Sequence, residues 1–307
     1  MKKINQMMLI VTVLMVSIGM SAQTTLRYNL KVGQKYGLKQ MTVQDIEQNI
    51  SGMTQNIKNT IGGDVSVTIL AKNGNVYSSE VVFESMLFKM ESPMMNMSYD
   101  SKDESADQSN PLNKTFSLIV GHKFQVKFDD RGNIQEVRGF ETVASKITSV
   151  FGEDQQQAET MKKQLGGQFS DENMKNTLSS MFIVYPEEKI KVGSKWTNNT
   201  QLRQPVTINN TYNYTVDQVG KESVSLSGSG TMATEEGQTM QQMGMTQHFD
   251  LKGGLSFAAS VNAKTGWPTE IKLTQNLDGV VAIESPQLPT PMEMPMKINS
   301  ESTYSSF

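Results

Sequence analysis

The side chains able to do chemistry are few and scattered. His122 and His248 are the two histidines, and the chain has no cysteine. Thiol nucleophiles, thiolate zinc sites and a cysteine-borne lipid anchor are therefore excluded. Gly228-Ser229-Gly230 lacks the spacing of a nucleophile elbow, and no His-Glu-x-x-His, Walker loop or dinucleotide fingerprint occurs. Glu187-Glu188 and Glu235-Glu236 are neighbours in sequence, so on a strand their side chains would point to opposite faces. The pattern assigns no catalytic residue and calls for no cofactor, so the chain is read as a non-enzyme.

Methionine is the unusual ingredient, at 22 residues. Three clusters stand out: Met94, Met95 and Met97; Met240, Met243 and Met245; and Met292, Met294 and Met296. Thioethers are soft ligands that suit Cu(I), and His248 follows Met245 by three residues. Met240, Met243, Met245 and His248 thus form one alternative, a copper site. The leading alternative uses methionine as a deformable apolar surface. Met292, Met294, Met296 and Ile298 share one parity while Pro291 and Pro295 take the other, as on a strand with one thioether face. Met86, Phe88 and Met90 alternate in the same way, and Met95 and Met97 repeat the spacing. Met86, Phe88, Met90, Met95, Met97, Met294 and Met296 are the expected wall of an apolar cleft. The bland reading of the same residues is a filled core.

These positions need elements to hold them, and composition limits the choice. The chain has 307 residues, 37% hydrophobic and 19% charged, with a formal charge of −3. That favours a folded domain with a sizeable core, and it gives no basic field for a nucleic-acid backbone. Lys2 and Lys3 precede an uncharged run from Met7 to Met20, and Ser21-Ala22 lead to Gln23. This pattern predicts a secretory signal peptide over 1–22, its apolar run being shorter than the about 20 residues that cross a bilayer. Cleavage would leave no transmembrane segment, and a periplasmic or extracellular location is expected.

The rest of the chain repeats itself. Val32-Gly33-Gln34-Lys35-Tyr36 returns as Val192-Gly193-Ser194-Lys195-Trp196, and the turn at Gly74 with its strand to Met86 returns at Gly220 to Met232. Phe116, Leu118, Gly121, Phe124 and Phe128 align with Phe249, Leu251, Gly254, Phe257 and Val261, and Gly132 with Gly266. The offset falls from 160 to 146 to 133, so the first copy carries two insertions, which belong in loops or hairpin tips. Period-two alternation in Val76–Met90 and Phe116–Phe128 predicts strands with one buried face. Val43, Ile46, Ile50, Met53, Ile57 and Ile61 step like a helix, but Gly52 and the Thr- and Tyr-rich counterpart Val206–Val216 favour an extended hairpin.

Between the copies the period becomes helical. Phe140, Val143, Ala144, Ile147, Val150 and Phe151 form one stripe, and Met174, Leu178, Met181 and Phe182 another, with Ala158, Met161 and Leu165 suggesting a helix between them. Ser170, Asp171 and Glu172 supply a cap, and Pro186 a stop. The expected organisation is a signal peptide at 1–22, a first β repeat at 23–139, a helical linker at 140–184 and a second β repeat at 185–307. The fold class is α+β: two duplicated, mainly antiparallel sheet halves, meander or half-barrel-like, with the helical segment packing on them. That segment is read as core or as a lid.

The opening Lys31 to Tyr36, Tyr99-Asp100-Ser101 and the stretch from Phe116 to Gly139 resemble a family of exported Gram-negative bacterial proteins known only as a domain of unknown function. The resemblance spans most of the mature chain and implies export and fold without chemistry. As architecture alone, a curved antiparallel sheet with helices inside resembles periplasmic carriers of lipoproteins and lipids. The sequence thus yields two readings: a carrier of a lipid or acyl group, or an envelope module with a closed core and a protein partner.

Overall fold

The computed structural model describes residues 23–50, 52–105, 110–150, 170–203, 206–242, 244–286 and 290–307. The expected signal peptide and the helix expected around Met161 lie outside them. Six strands and two short helices come first: β1 (Lys35–Ile50), β2 (Met53–Asn73), β3 (Val76–Glu91), β4 (Asn96–Asp100), α1 (Pro111–Ser117), β5 (Lys123–Asp129), β6 (Ile134–Arg138) and α2 (Phe140–Val150) make up the first stretch, with β6 closing the strands. After α3 (Asp171–Met181) come β7 (Lys195–Arg203), β8 (Thr207–Val219), β9 (Ser223–Thr234), β10 (Thr239–Gln242), β11 (Met245–Asn262), β12 (Pro268–Glu284) and β13 (Met292–Ser306).

All thirteen strands belong to one open sheet, in the order β6-β5-β3-β2-β1-β13-β12-β11-β9-β8-β7, with β4 added to β3 and β10 to β11. The halves expected from the sequence are therefore fused: β13 pairs β1 on one side and β12 on the other. Within each half the strands run in the same sequence, and the two glycine turns that open β1 and β7 bond alike. Gly33 N donates to Ile69 O and Gly193 N to Val216 O, each at 2.8 Å. Described helix is confined to three short segments, so the architecture is mainly antiparallel β.

Two sequence expectations meet different fates at the insertions. The 43–61 segment is a hairpin, turning at Gly52 with φ +85°, so that Ile46 faces Ile57 and Thr42 faces Ile61. The extra length of the first copy here simply makes this hairpin longer than β7–β8. By contrast, the strand expected from Phe116 begins only at Lys123, and Phe116 ends up in α1 while its counterpart Phe249 lies in β11. The cause is tertiary: Phe116 stacks on Tyr99 of β4 with ring centroids 5.2 Å apart and tilts against Phe88 at 5.8 Å. The added strand β4 creates this aromatic niche, and a helix delivers the ring to it.

The helix α3 decides the shape. It is capped by Ser170, whose side chain accepts from Asn173 N, and Asp171 reaches back to accept from Phe140 N at 2.7 Å. Its body lies against both β6 and β7, the two edges of the sheet. The sheet therefore curls round α3 with its edges unpaired to one another. Leu178 and Phe182 meet Leu38, Val65, Val81 and Val126 on one side, and Met181 and Phe182 meet Tyr212, Phe257 and Leu273 on the other.

An extended N-terminal strap seals the same end. Thr24 pairs with Ile190, Tyr28 N donates to Asp130 O at 2.7 Å, Asn29 N to Thr265 O at 2.8 Å, and Arg27 bonds the carbonyls of Pro186 and Glu187. The strap thus ties turns from both halves. Tyr28 sits at its centre, in ring contact with Phe128, Phe182, Tyr185 and Trp267. Such a cluster supplies large apolar burial with edge-on and tilted ring packing. We call this the proximal end, and the end carrying the tips at Gly52 and Met94 the distal end.

Candidate functional site

Which way each strand residue points follows from the ladder. On β1, Tyr36 and Leu38 are buried under α3, so the even positions face inward; beyond them come Gln40, Thr42, Gln44, Ile46, Gln48 and Ile50. Across the ladder Ile46 meets Ile57 of β2 and Ile298 of β13, and Ile298 meets Leu277 of β12. One rung further out, Gln48 meets Gln55 and Met296. A continuous apolar row from four strands, Ile57, Ile46, Ile298 and Leu277, thus floors the distal half of the curled sheet. Leu277, Val281 and Met294 are buried, whereas Ile46, Ile57, Met296 and Ile298 stay partly exposed.

Between this floor and the proximal core runs a polar belt. Thr42 Oγ1 and Ser302 Oγ are 2.8 Å apart and Asn59 Nδ2 donates to Gln44 Oε1 at 3.1 Å, while beyond the floor Gln48 Nε2 donates to Gln55 Oε1 at 3.2 Å. Asn59 Oδ1 is buried with no partner among the described residues. An orphan acceptor of this kind carries an unpaid desolvation cost of about 1–3 kcal/mol. It is a ready point for a donor on a bound molecule.

The expected methionine wall divides. Met86, Phe88 and Met90 share the inner face of β3, and β4 sets Met97 opposite Met90 and Tyr99 opposite Phe88. Met294 and Met296 lie on the inner face of β13. The strands β1 and β2 separate the two groups, a span of about 14 Å at the usual strand spacing. They flank the floor from both sides. Met95 stands apart, 52% exposed at the β3–β4 turn. The isoleucines between the flanks were not part of the expected wall, because Ile298 joins Ile46 and Ile57 only through the pairing of β13 with β1.

The copper alternative is not assembled on one face. Met240 pairs with Gln247 and Met245 with Gln242, while His248 pairs with Thr239 and Ala282 on the other parity, its Nε2 lying 3.3 Å from Glu284 Oε1. Met243 lies outside the described residues. His122, in the first half, packs on Phe124 with rings 4.8 Å apart, and burial, with a lesser effect from Lys146, lowers its pKa. Nothing brings the two histidines together. Among the described residues no cluster of three or more His, Asp or Glu side chains is placed to hold a metal.

Cavities follow the same division. Beneath α3 the interior holds voids of only about 20 and 40 Å³, so α3 acts as core at the proximal end. Larger grooves, about 580 and 640 Å³, lie along the second half and are lined largely by polar residues such as Gln238, Asp250 and Lys252, or Lys195, Asn213 and Ser229. The outward positions of the long strands are charged: Asp45, Glu47, Lys58, Asp278, Lys297 and Glu301 are all exposed. A barrel embedded in lipid needs the reverse alternation, apolar outside and polar inside. Among the described residues no helix is long and apolar enough to cross a membrane.

Comparison with known proteins gives a family and distant shapes. A model of a family described as "Family of unknown function (DUF6263)" matches residues 73–268. No curated protein matches the sequence. Among solved structures, one of lipovitellin concerned with lipid–protein interactions aligns at TM-score 0.45 and 8% identity, over 90% of this chain and 25% of that one. The chain thus spans a quarter of the lipovitellin chain's length. An outer membrane channel from Pseudomonas putida F1 aligns at TM-score 0.25 and 8% identity, over 91% of this chain and 97% of that one. Salmonella typhi OmpF in complex with daunomycin aligns at TM-score 0.23 and 7% identity, over 90% and 98%.

Proposed function

The chain belongs to DUF6263, a family of unknown function, and from that premise we propose that it is an exported, non-enzymatic protein that binds a lipid or acyl group in the distal half of its curled sheet. The observation that carries this reading is the inward row Ile57, Ile46, Ile298 and Leu277, in register across four strands, whose three isoleucines stay partly exposed while the outer face of the same strands carries charge. Side chains of this kind on an inward face are normally covered; α3 covers the proximal half, and α1 sets Phe116 on Phe88 and Tyr99 at one flank of the floor. Phe88, Met90 and Met97 on one flank and Met294 and Met296 on the other adapt to a flexible chain.

The energetics are adequate. Each methylene taken from water is worth about 0.8 kcal/mol, so about ten of them give a gross gain of about 8 kcal/mol, the size of a micromolar complex. The unpartnered Asn59 Oδ1 beside the floor would take a hydroxyl or amide donor from the polar end of the ligand. Export rests on Lys2, Lys3 and the uncharged run that follows them. The common strand order and paired glycine turns of the two halves support descent from one duplicated unit, with residues 140–184 as the inserted bridge.

A second reading, an envelope interaction module with a closed core, is favoured by one observation: the voids under α3 are too small for any lipid. Uptake of a fluorescent fatty acid by the purified mature chain, alongside native mass spectrometry of freshly prepared protein, separates the two. Micromolar uptake that Ile46→Asp abolishes supports the carrier. A clean apo mass with no uptake refutes it and leaves the module.

A further inference from the structure

The two ends of the molecule differ in charge. The strand directions place every turn at one end or the other, and the proximal turns are dense in charge: Lys31 and Lys35, Asp129-Asp130-Arg131, Glu187-Glu188-Lys189, Lys221-Glu222 and Lys264. The distal turns are not. No charged residue occurs in 48–57 or 92–98, the stretches around the β1–β2 and β3–β4 turns. Elsewhere at this end charge is present: Glu235-Glu236 follow β9, Arg203 ends β7, Glu284 ends β12 and Glu293 lies near the start of β13.

Exposure sharpens the contrast. Met53 and Met94 are 66% and 82% exposed at neighbouring distal tips, and Gln55 Nε2 lies 3.8 Å from Met94 Sδ, so the two hairpins touch. The proximal end also exposes apolar side chains: Val32 and Val192 each follow a lysine directly, Lys31 or Lys191, whereas Leu70 and Phe307 do not. A water-facing tip normally carries charge or turn-forming polar groups. Long unbranched apolar side chains on uncharged tips instead mark a contact surface for something uncharged and adaptable.

We propose that this distal rim docks on the surface of a lipid bilayer, with Met53 and Met94 inserted at the level of the headgroups. The occupant is argued from charge and from continuity. The two tips that carry Met53 and Met94 hold no basic residue and gain nothing from anionic lipid, so a zwitterionic surface suits them, with apolar insertion supplying the attraction. The rim also borders the open edge of the apolar floor, since Met53 and Ile50 pair one turn beyond Ile46 and Ile57. This proposal rests on the carrier reading, in which a chain passes between membrane and floor.

Flotation of the mature protein with vesicles of pure phosphatidylcholine, and with vesicles also containing phosphatidylglycerol, tests it at low and high salt. Equal, salt-insensitive binding to both is expected, falling at least about tenfold in the double variant Met53→Glu, Met94→Glu. Tryptophan placed at Met94 should be quenched by brominated phosphatidylcholine, whereas tryptophan placed at Val192 should not. Failure to float with phosphatidylcholine, binding only to anionic vesicles that salt removes, or full binding by the double variant overturns the proposal. The double variant should still take up fluorescent fatty acid from solution. Vesicle binding without uptake by the wild type would sink the carrier reading alone, and uptake without vesicle binding would sink the docking surface alone.

Discussion

Replacing Gly266 with alanine probes the claim that the strap closes the proximal end. Gly266 sits in the β11–β12 turn with φ +66°, and a Cβ there would lie 2.1 Å from the Arg27 carbonyl oxygen and 3.1 Å from Tyr28 N. Both are backbone atoms, so no rotamer change relieves the clash; the strap itself must move. Movement breaks the bond from Asn29 N to Thr265 O and withdraws Tyr28 and Leu26, which are 1% and 2% exposed. Gly33 is the control, with φ +82° and nothing within 4 Å of its would-be Cβ. Gly33→Ala should cost only the left-handed backbone penalty, about 1 kcal/mol. Gly266→Ala adds the displacement of two buried side chains at about 1.5 kcal/mol each, the low end for a strap that shifts without detaching, for a total of about 4 kcal/mol. At about 2–4 °C per kcal/mol for a chain of this size, Tm should fall by about 3 °C in the first variant and about 10 °C in the second. Thermal unfolding followed by far-UV circular dichroism reads both. Equal falls would show that the strap is loosely held and the reasoning mistaken.

Alkaline titration should report the buried tyrosines. Burial pushes the Tyr212 phenol up to about 12, and Tyr28, Tyr185 and Tyr214 are raised as well, by burial first. An unfolded phenol titrates near 10, so above about that pH the unfolded chain binds fewer protons than the folded one. Stability should hold up to about pH 10 and fall as pH rises through the folded values, with phenolate absorbance appearing together with loss of structure; full phenolate signal from a folded protein at about pH 10 contradicts this. On the acid side, a hydrogen bond from Lys102 holds the Asp64 carboxyl below its ordinary value. Its stabilisation is present above the unfolded carboxylate pKa and lost as pH falls through the lowered one. Lys102→Ala should flatten that part of the acid unfolding curve and change neutral stability by less than about 1 kcal/mol; an unchanged acid limb argues against the pairing.

Much of the strand content was legible because alternation is a local property: Val76–Met90 and Met292–Ile298 are strands as predicted, although a bulge opposite Asp64 and Val65 turns Val82 away from the face that holds Met86, Phe88 and Met90. The glycine turns were legible too, since Gly33 and Gly193 need positive φ and are followed by matching strands. Phe116 misled, as its neighbours alternate like a strand while its ring is claimed by Tyr99 and Phe88, residues far away in sequence. The floor was hidden for a related reason. Ile46 and Ile57 fall on one face only after the turn at Gly52 reverses the parity between strands, and Ile298 joins them through a pairing across more than two hundred residues.

The sequence by itself determined the composition of each strand face, the places where the chain turns, the helical period of the middle and the charge of every tip, because each depends on residues a few positions apart. Only the tertiary structure decided that the halves form one sheet, that α3 bridges its two edges, and that the apolar row comes together at the distal end. Those outcomes depend on register and edge pairing between segments distant in sequence, which local spacing does not specify.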